Sequence, residues 1–192
     1  MYLTSLLLKH ISKENGRIVN VSSDAHKFVK NMDLDALEKD LEFNNDKLHS
    51  QSNFFNYGYS KLANIYFTNT LAKYFESQNI KVKAVSLHPG AVRTEIMRPT
   101  NIFYKIISIL FYLLMLVFFK DSVMGAQTTL HVCYLDFASL VNSGYYTDCK
   151  LSKISTLASN EDKRKRFMDY SLSILKIKVI NYPEELNEIV KC

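Results

Sequence analysis

The apolar residues of this chain recur with two periods, one helical and one of strand type. From Tyr2 to Ile11, Leu3, Leu6, Leu7, Leu8 and Ile11 fall at helical spacing, which predicts an amphipathic helix close to the first residue. Asn15-Gly16 supplies a turn. Arg17–Val21, RIVNV, is a short β-rich run ending in Ser22-Ser23, the pattern of a strand covered on both faces. Asp24–Asn56 is polar and mixed in charge, with a short helix expected at Asp33–Leu41, and it reads as a surface excursion. Helical spacing returns over Tyr57–Phe75, where Ala63, Ile65, Tyr66, Phe67, Leu71 and Tyr74 supply a buried side. Ile80–Leu87, IKVKAVSL, reads as a second strand, followed by a turn at His88-Pro89-Gly90. Strand, helix, strand in this order predicts a βαβ unit with parallel strands and a right-handed crossover.

Ile102–Phe119, IFYKIISILFYLLMLVFF, is the most apolar part of the chain. Its eighteen residues, with Lys105 near one end, fall just short of the about 20 that a membrane-spanning helix needs. Three readings stay open for residues 101–120: a span, a membrane-facing element, and a lid over an apolar substrate. Ser122–Ala138 is expected to be a helix, Gly144-Tyr145-Tyr146 a short extended piece closed by Asp148-Cys149-Lys150, and Glu161–Leu175 a final helix within a C-terminal helix and tail over 160–192. The run Lys163-Arg164-Lys165-Arg166 reads as a solvated face.

Composition narrows the class. A chain of 192 residues suits one domain. With 47% hydrophobic and 22% charged residues it has the makeup of a folded soluble protein. The net charge of +5 is spread along the chain, so no nucleic-acid partner is expected. The five glycines form neither G-x-G-x-x-G nor G-x-x-x-x-G-K-[ST]. Cys133, Cys149 and Cys192 are odd in number and lack paired metal spacing, which suits a reducing intracellular compartment, in the cytoplasm or on an internal membrane. MYLTSLLLKH has no basic stretch ahead of its apolar run, so no signal peptide is expected. His26 and His88 read as structural or surface residues, and without H-E-x-x-H no metal site is expected.

Candidate chemistry centres on Tyr57 and Lys61. On a helix, positions i and i+4 share a face, so a phenol and an ammonium can meet there. A free tyrosine titrates near pH ~10, and a neighbouring cation favours the phenolate. The pattern is weak alone in a chain with twelve tyrosines, and Tyr146…Lys150 repeats it. Context separates the two. The first pair follows a strand ending in serines and lies on a helix; the second lies in an extended segment, where four-residue spacing keeps the groups apart.

V-N-V-S-S at Val19–Ser23, Y-G-Y-S-K-L-A-N at Tyr57–Asn64 and H-P-G-A-V-R-T at His88–Thr94 together resemble the short-chain dehydrogenase/reductases. S-K-L-A-N, G-A-Q-T-T at Gly125–Thr129 and G-Y-Y-T-D-C-K at Gly144–Lys150 resemble the retinol dehydrogenase-like branch, and the motifs cover roughly residues 1–150 in order. The resemblance implies an α/β fold, a partial doubly wound Rossmann-like parallel sheet forming one domain over residues 1–192. It implies interconversion of apolar alcohols with aldehydes or ketones, using NADP or alternatively NAD. Tyr57 would be the catalytic acid/base and Lys61 would support its ionised form while touching the nicotinamide ribose. Ser23 would hydrogen-bond the substrate oxygen, and Pro89, Gly90 and Thr94 would line the nicotinamide end of the cofactor. Tyr57 and Lys61 would thus serve both catalysis and cofactor binding.

The match begins within the fourth helix of that fold. Its first four strands, the glycine loop for the pyrophosphate and the active-site asparagine are therefore expected outside this chain, and the activity of these residues alone is expected to be weak. The edge left at Arg17–Val21 would invite self-association. Two other readings are a non-catalytic remnant of the family that binds a membrane or a partner through Ile102–Phe119, and a different nucleotide-binding α/β protein.

Overall fold

The computed structural model describes residues 1–11, 14–32, 53–92, 120–178 and 185–192. Strands β1 (Glu14–Val21), β2 (Lys81–His88), β3 (Tyr145–Thr147) and β4 (Lys150–Ser152) form one four-stranded sheet in that spatial order. β1 runs parallel to β2 with Ile18 opposite Ala84 and Val21 opposite Leu87. β2 runs parallel to β3, with Ser86 opposite Tyr145, and β4 returns antiparallel.

The strand period sorts the side chains onto two faces. Ile18, Val82 and Ala84 pack on one face against Phe67, Leu71, Ala72 and Phe75 of the long helix α2 (Asn53–Ser77). Met168 of α4 (Glu161–Lys178) joins them, as do Leu186 and Ile189 of α5 (Glu185–Lys191). On the opposite face Val85, Leu87 and Tyr146 meet Val132 of α3 (Ser122–Tyr134) and Leu140. Helices thus cover both faces of a sheet whose first three strands run parallel, the partial doubly wound arrangement expected from the sequence, with the antiparallel β4 added at its edge.

Polar side chains fix the helices to the sheet. Arg17 Nη1 donates to Val132 O and Leu135 O, each at 2.9 Å, and so ends α3 at Tyr134, short of the expected Ala138. Lys83 Nζ donates to Phe137 O and Leu140 O just beyond, each at 2.7 Å. Arg164 departs from the solvated face expected of its basic run: it is buried, donating to Thr70 Oγ1 at 2.7 Å and to Cys192 O at 3.2 Å. It shares its face of α4 with buried Met168, one helical turn on.

Several boundaries differ from the pattern reading. α2 begins at Asn53, so Tyr57 lies one turn inside it. The first helix, α1 (Tyr2–Leu7), passes into a 3-10 turn over Leu8–His10. Leu3, Leu6 and Leu7 of α1 stay exposed, while Leu8 and Ile11 reach the core. β4 has little strand signature in its sequence and forms because Asp148 and Cys149, at φ 50° and 58°, close a two-residue hairpin turn. The start of the expected surface excursion is pinned inward, with Ala25, His26, Val29 and Met32 buried. The helix expected at Asp33–Leu41 and the apolar run Ile102–Phe119 lie outside the described residues. Among the described residues no helix is long and apolar enough to cross a membrane.

Candidate active site

In a parallel sheet with helices on both faces, ligands collect at the carboxyl ends of the strands. The candidate residues gather there. Tyr57 and Lys61 share one face of α2, with the Lys61 ammonium 5.4 Å from the centre of the Tyr57 ring. Tyr57 is 47% exposed. Three hydrogen bonds hold this turn of α2 against the end of β1. Lys61 Nζ and Asn64 Nδ2 donate to Val21 O at 3.3 and 3.0 Å, and Ser22 Oγ donates to Lys61 O at 2.7 Å. Gly58 permits the approach: a Cβ there would stand 2.9 Å from Val29 Cγ2 and 3.0 Å from Ala25 O.

Ser23 follows directly at the N-cap of a 3-10 turn over Asp24–Phe28. Its Oγ accepts from Ala25 N at 3.2 Å, which leaves the hydroxyl hydrogen to be aimed elsewhere. Beneath it, Tyr145 of β3 donates its hydroxyl to Asp24 Oδ1 at 2.8 Å, and Lys27 pairs with the same oxygen at 2.9 Å. Burial works to raise Asp24, but the bonds from Lys27 and Tyr145 and the Lys27 charge outweigh it and hold the carboxyl below its ordinary range. Burial and the bond to Asp24 push the Tyr145 phenol far up, so it remains a donor.

The strand end of β2 contributes the other side. Pro89 and Gly90 are half-buried, and Gly90 holds φ 94° in the left-handed region that favours glycine. The side chain of Lys120 passes so close that a Cβ on Gly90 would meet Lys120 Cδ at 2.8 Å. Lys120 N donates to Ala91 O at 2.7 Å, and Lys120 Nζ pairs with Asp148. His88 Nδ1 is buried with no hydrogen-bond partner among the described residues, and burial lowers the pKa of its ring. Thr94 lies outside the described residues.

Tyr57, Lys61, Ser23, Pro89 and Gly90 therefore come to one end of the sheet. The repeated pattern does not: Tyr146 is buried opposite Leu151 and accepts from Val141 N at 3.0 Å, while Lys150 is exposed beyond the hairpin turn. Sequence reasoning passed over Gly58, Asn64, Asp24, Tyr145 and Lys120. A glycine inside a helical pattern is a signal of close packing and could have marked Gly58. Nothing in the linear sequence joins Asp24 to Tyr145, or Lys120 to Gly90.

No protein-family model matches the chain. It is 34% identical over 179 residues to retinol dehydrogenase 12 of Mus musculus, covering 91% of this chain and 51% of that protein. To retinol dehydrogenase 14 of Homo sapiens it is 35% identical, covering 88% of this chain and 47% of that protein. The chain is homologous to the short-chain dehydrogenases. The short-chain dehydrogenase TIC 32 B, chloroplastic, of Brassica napus is also similar, at 27% identity over 90% of this chain and 53% of that protein. The chain thus spans about half the length of the curated relatives it matches. An uncharacterized protein of Mycobacterium paratuberculosis, known from its crystal structure, shares the fold with a TM-score of 0.61 over 91% of this chain and 54% of that one, at 23% identity.

Proposed function

We propose that these residues form the catalytic half of an NADP-dependent oxidoreductase that interconverts apolar alcohols with aldehydes or ketones, of the retinol dehydrogenase type. The observation that carries the reading is the placement of Tyr57 and Lys61 on one face of α2, tied through Val21 O to the strand end that continues into Ser23. Homology to dehydrogenases named for retinol supports the substrate class, and NADP over NAD rests on the same likeness.

The residues present fit the nicotinamide end of such a cofactor. They offer a half-buried cation at Lys61, a second cation at Lys120 whose side chain packs over Gly90, and His88 Nδ1, buried and without a hydrogen-bond partner among the described residues, at the same end of the sheet. Lys61, Pro89, Gly90 and Thr94 would hold that end. When bound, the nicotinamide takes up or delivers the hydride. Tyr57 accepts the alcohol's hydroxyl proton in oxidation and returns one in reduction. Lys61 stabilises the negative charge that develops on the phenol oxygen, and Ser23 donates to the substrate oxygen, where charge also builds.

The test uses two proteins: residues 1–192 alone, and the same residues joined to the part of mouse retinol dehydrogenase 12 outside the match. Turnover of an apolar aldehyde with NADPH by the joined protein, abolished by Tyr57→Phe with NADPH binding retained, is expected. Turnover that survives Tyr57→Phe, or a joined protein that binds NADPH and turns over none of a panel of apolar aldehydes, would overturn the assignment.

A further inference from the structure

His26 is fully buried, yet both of its ring nitrogens are engaged. Nε2 faces the backbone N–H of Ser155 at 3.2 Å. An amide nitrogen can only donate, so Nε2 is the acceptor and carries no proton. In the neutral ring the proton then sits on Nδ1, which stands 2.7 Å from Ser23 O and donates to it. The same carbonyl accepts the backbone N–H of His26 at 3.1 Å. The ring packs on Tyr145 in a T-shaped contact with centroids 5.1 Å apart, and Tyr145 in turn holds Asp24. A single imidazole thereby links Ser23, at the end of β1, to the turn at Ser155 and to β3.

We propose that His26, fixed as the Nδ1–H tautomer, is the positioning residue for Ser23, and that protonating it at Nε2 releases Ser23 from its working orientation. This rests on the reading of Ser23 as the donor to substrate oxygen. A second proton would set N–H against N–H at Ser155, so the bond from Ser155 breaks and the ring is pushed away from that turn. Ser23 would move with it, because the bond from Nδ1–H to its carbonyl strengthens when the ring is charged, beside the longer bond from His26 N, and its Oγ is oriented by Ala25 N within the same turn. The groups that set the ring's titration are identifiable. Burial lowers its pKa, the bond to Ser23 and the charge of Asp24 oppose that, and Lys27 and His88 reinforce it. Tyr145, the titratable group packed edge-to-face with the ring, stays neutral.

The experiment has a structural arm and a kinetic arm. Long-range proton–nitrogen spectra of the 192-residue chain with labelled histidine should show His26 as the Nδ1–H tautomer at neutral pH, titrating below the ordinary histidine range of about 6.5. Amide exchange at Ala25 and Ser155 should be slow in the native chain, at least tenfold faster in His26→Phe, and restored at Ala25 in His26→Asn, whose amide can replace the Nδ1–H donor. In the joined protein His26→Phe should lower kcat at least tenfold with KM little changed, and His26→Asn should recover activity while losing the acid limb of the pH profile. An Nε2–H tautomer, ordinary titration, or exchange at Ala25 indifferent to His26→Phe would overturn the proposal. Should the native joined protein lack turnover while the exchange coupling holds, the positioning role stands and the catalytic reading of Ser23 falls.

Discussion

The Lys61 ammonium lies over the Tyr57 ring, 5.4 Å from its centre, and is held there by a 3.3 Å hydrogen bond to Val21 O. The second bond ties the pair to the sheet, so the position of the cation is set by β1 as well as by the helix. Replacing Lys61 with Met removes the charge and leaves Asn64 and Ser22 to hold α2 in place. In the joined protein this change should lower turnover by about 100-fold, the lower range for a group that assists proton transfer, with an unchanged circular dichroism spectrum. Steady-state kinetics on NADPH and an apolar aldehyde check it, and turnover equal to that of the native residue would contradict the role.

Gly58 is the point of closest approach between α2 and the Asp24–Phe28 turn. A methyl group there meets Val29 Cγ2 at 2.9 Å and the backbone oxygen of Ala25 at 3.0 Å, and the backbone oxygen cannot swing aside. Gly58→Ala should therefore destabilise the fold by about 1–3 kcal/mol despite the better helix propensity of alanine. Urea unfolding followed by circular dichroism measures this, and an equal or higher midpoint would show that the turn yields.

The sequence made the βαβ unit legible because its two long strands are β-rich runs of the kind buried on both faces and the helix between them carries apolar residues at helical spacing. Val82, Ala84, Val85 and Leu87 alternate between two helical layers, and the Ser22-Ser23 and His88-Pro89-Gly90 segments mark where the strands end. That Tyr57 and Lys61 meet was legible from spacing alone, since i and i+4 on a helix fix a shared face. Other features depend on contacts between distant residues. The β4 hairpin hangs on two non-glycine residues with positive φ, and Arg164 is turned inward by Thr70 and Cys192. A run of four basic residues reads as solvated until its partners are placed. Asp24 and Tyr145 meet across 121 residues, beyond any local pattern.

Acid should weaken the fold through two buried imidazoles. Burial lowers the pKa of both His26 and His88, so the unfolded chain takes up protons at about pH 6.5 while the native chain resists until lower pH. More protons bound in the unfolded state means that stability rises with pH in that window. The contribution is fully present above the ordinary histidine pKa and is lost as pH falls from there towards the native values. Asp24, held low, acts in a separate window below about pH 4. Urea midpoints at pH 7.5 and pH 5.5 should differ, and His26→Asn should shrink the difference; a midpoint independent of pH would contradict the burial argument.

Leu71 joins α2 to the sheet and to α4 and α5, fully buried among Phe75, Val82, Met168, Leu186 and Ile189. Leu71→Ala should cost about 2–5 kcal/mol, the usual range for deleting a buried leucine side chain. Because the site lies at the other end of α2, the loss should appear in the unfolding midpoint. NADPH affinity of the folded joined protein should change little, and a selective loss of affinity would count against this division.

The most direct test compares Tyr57→Phe with the native residue in the joined protein, measuring turnover of an apolar aldehyde and NADPH affinity in the same preparations. The expected result is a loss of about 100-fold or more in kcat, as for removal of a positioned acid, with NADPH affinity retained. Equal turnover in the two proteins would contradict the assignment of Tyr57 as the proton donor and acceptor.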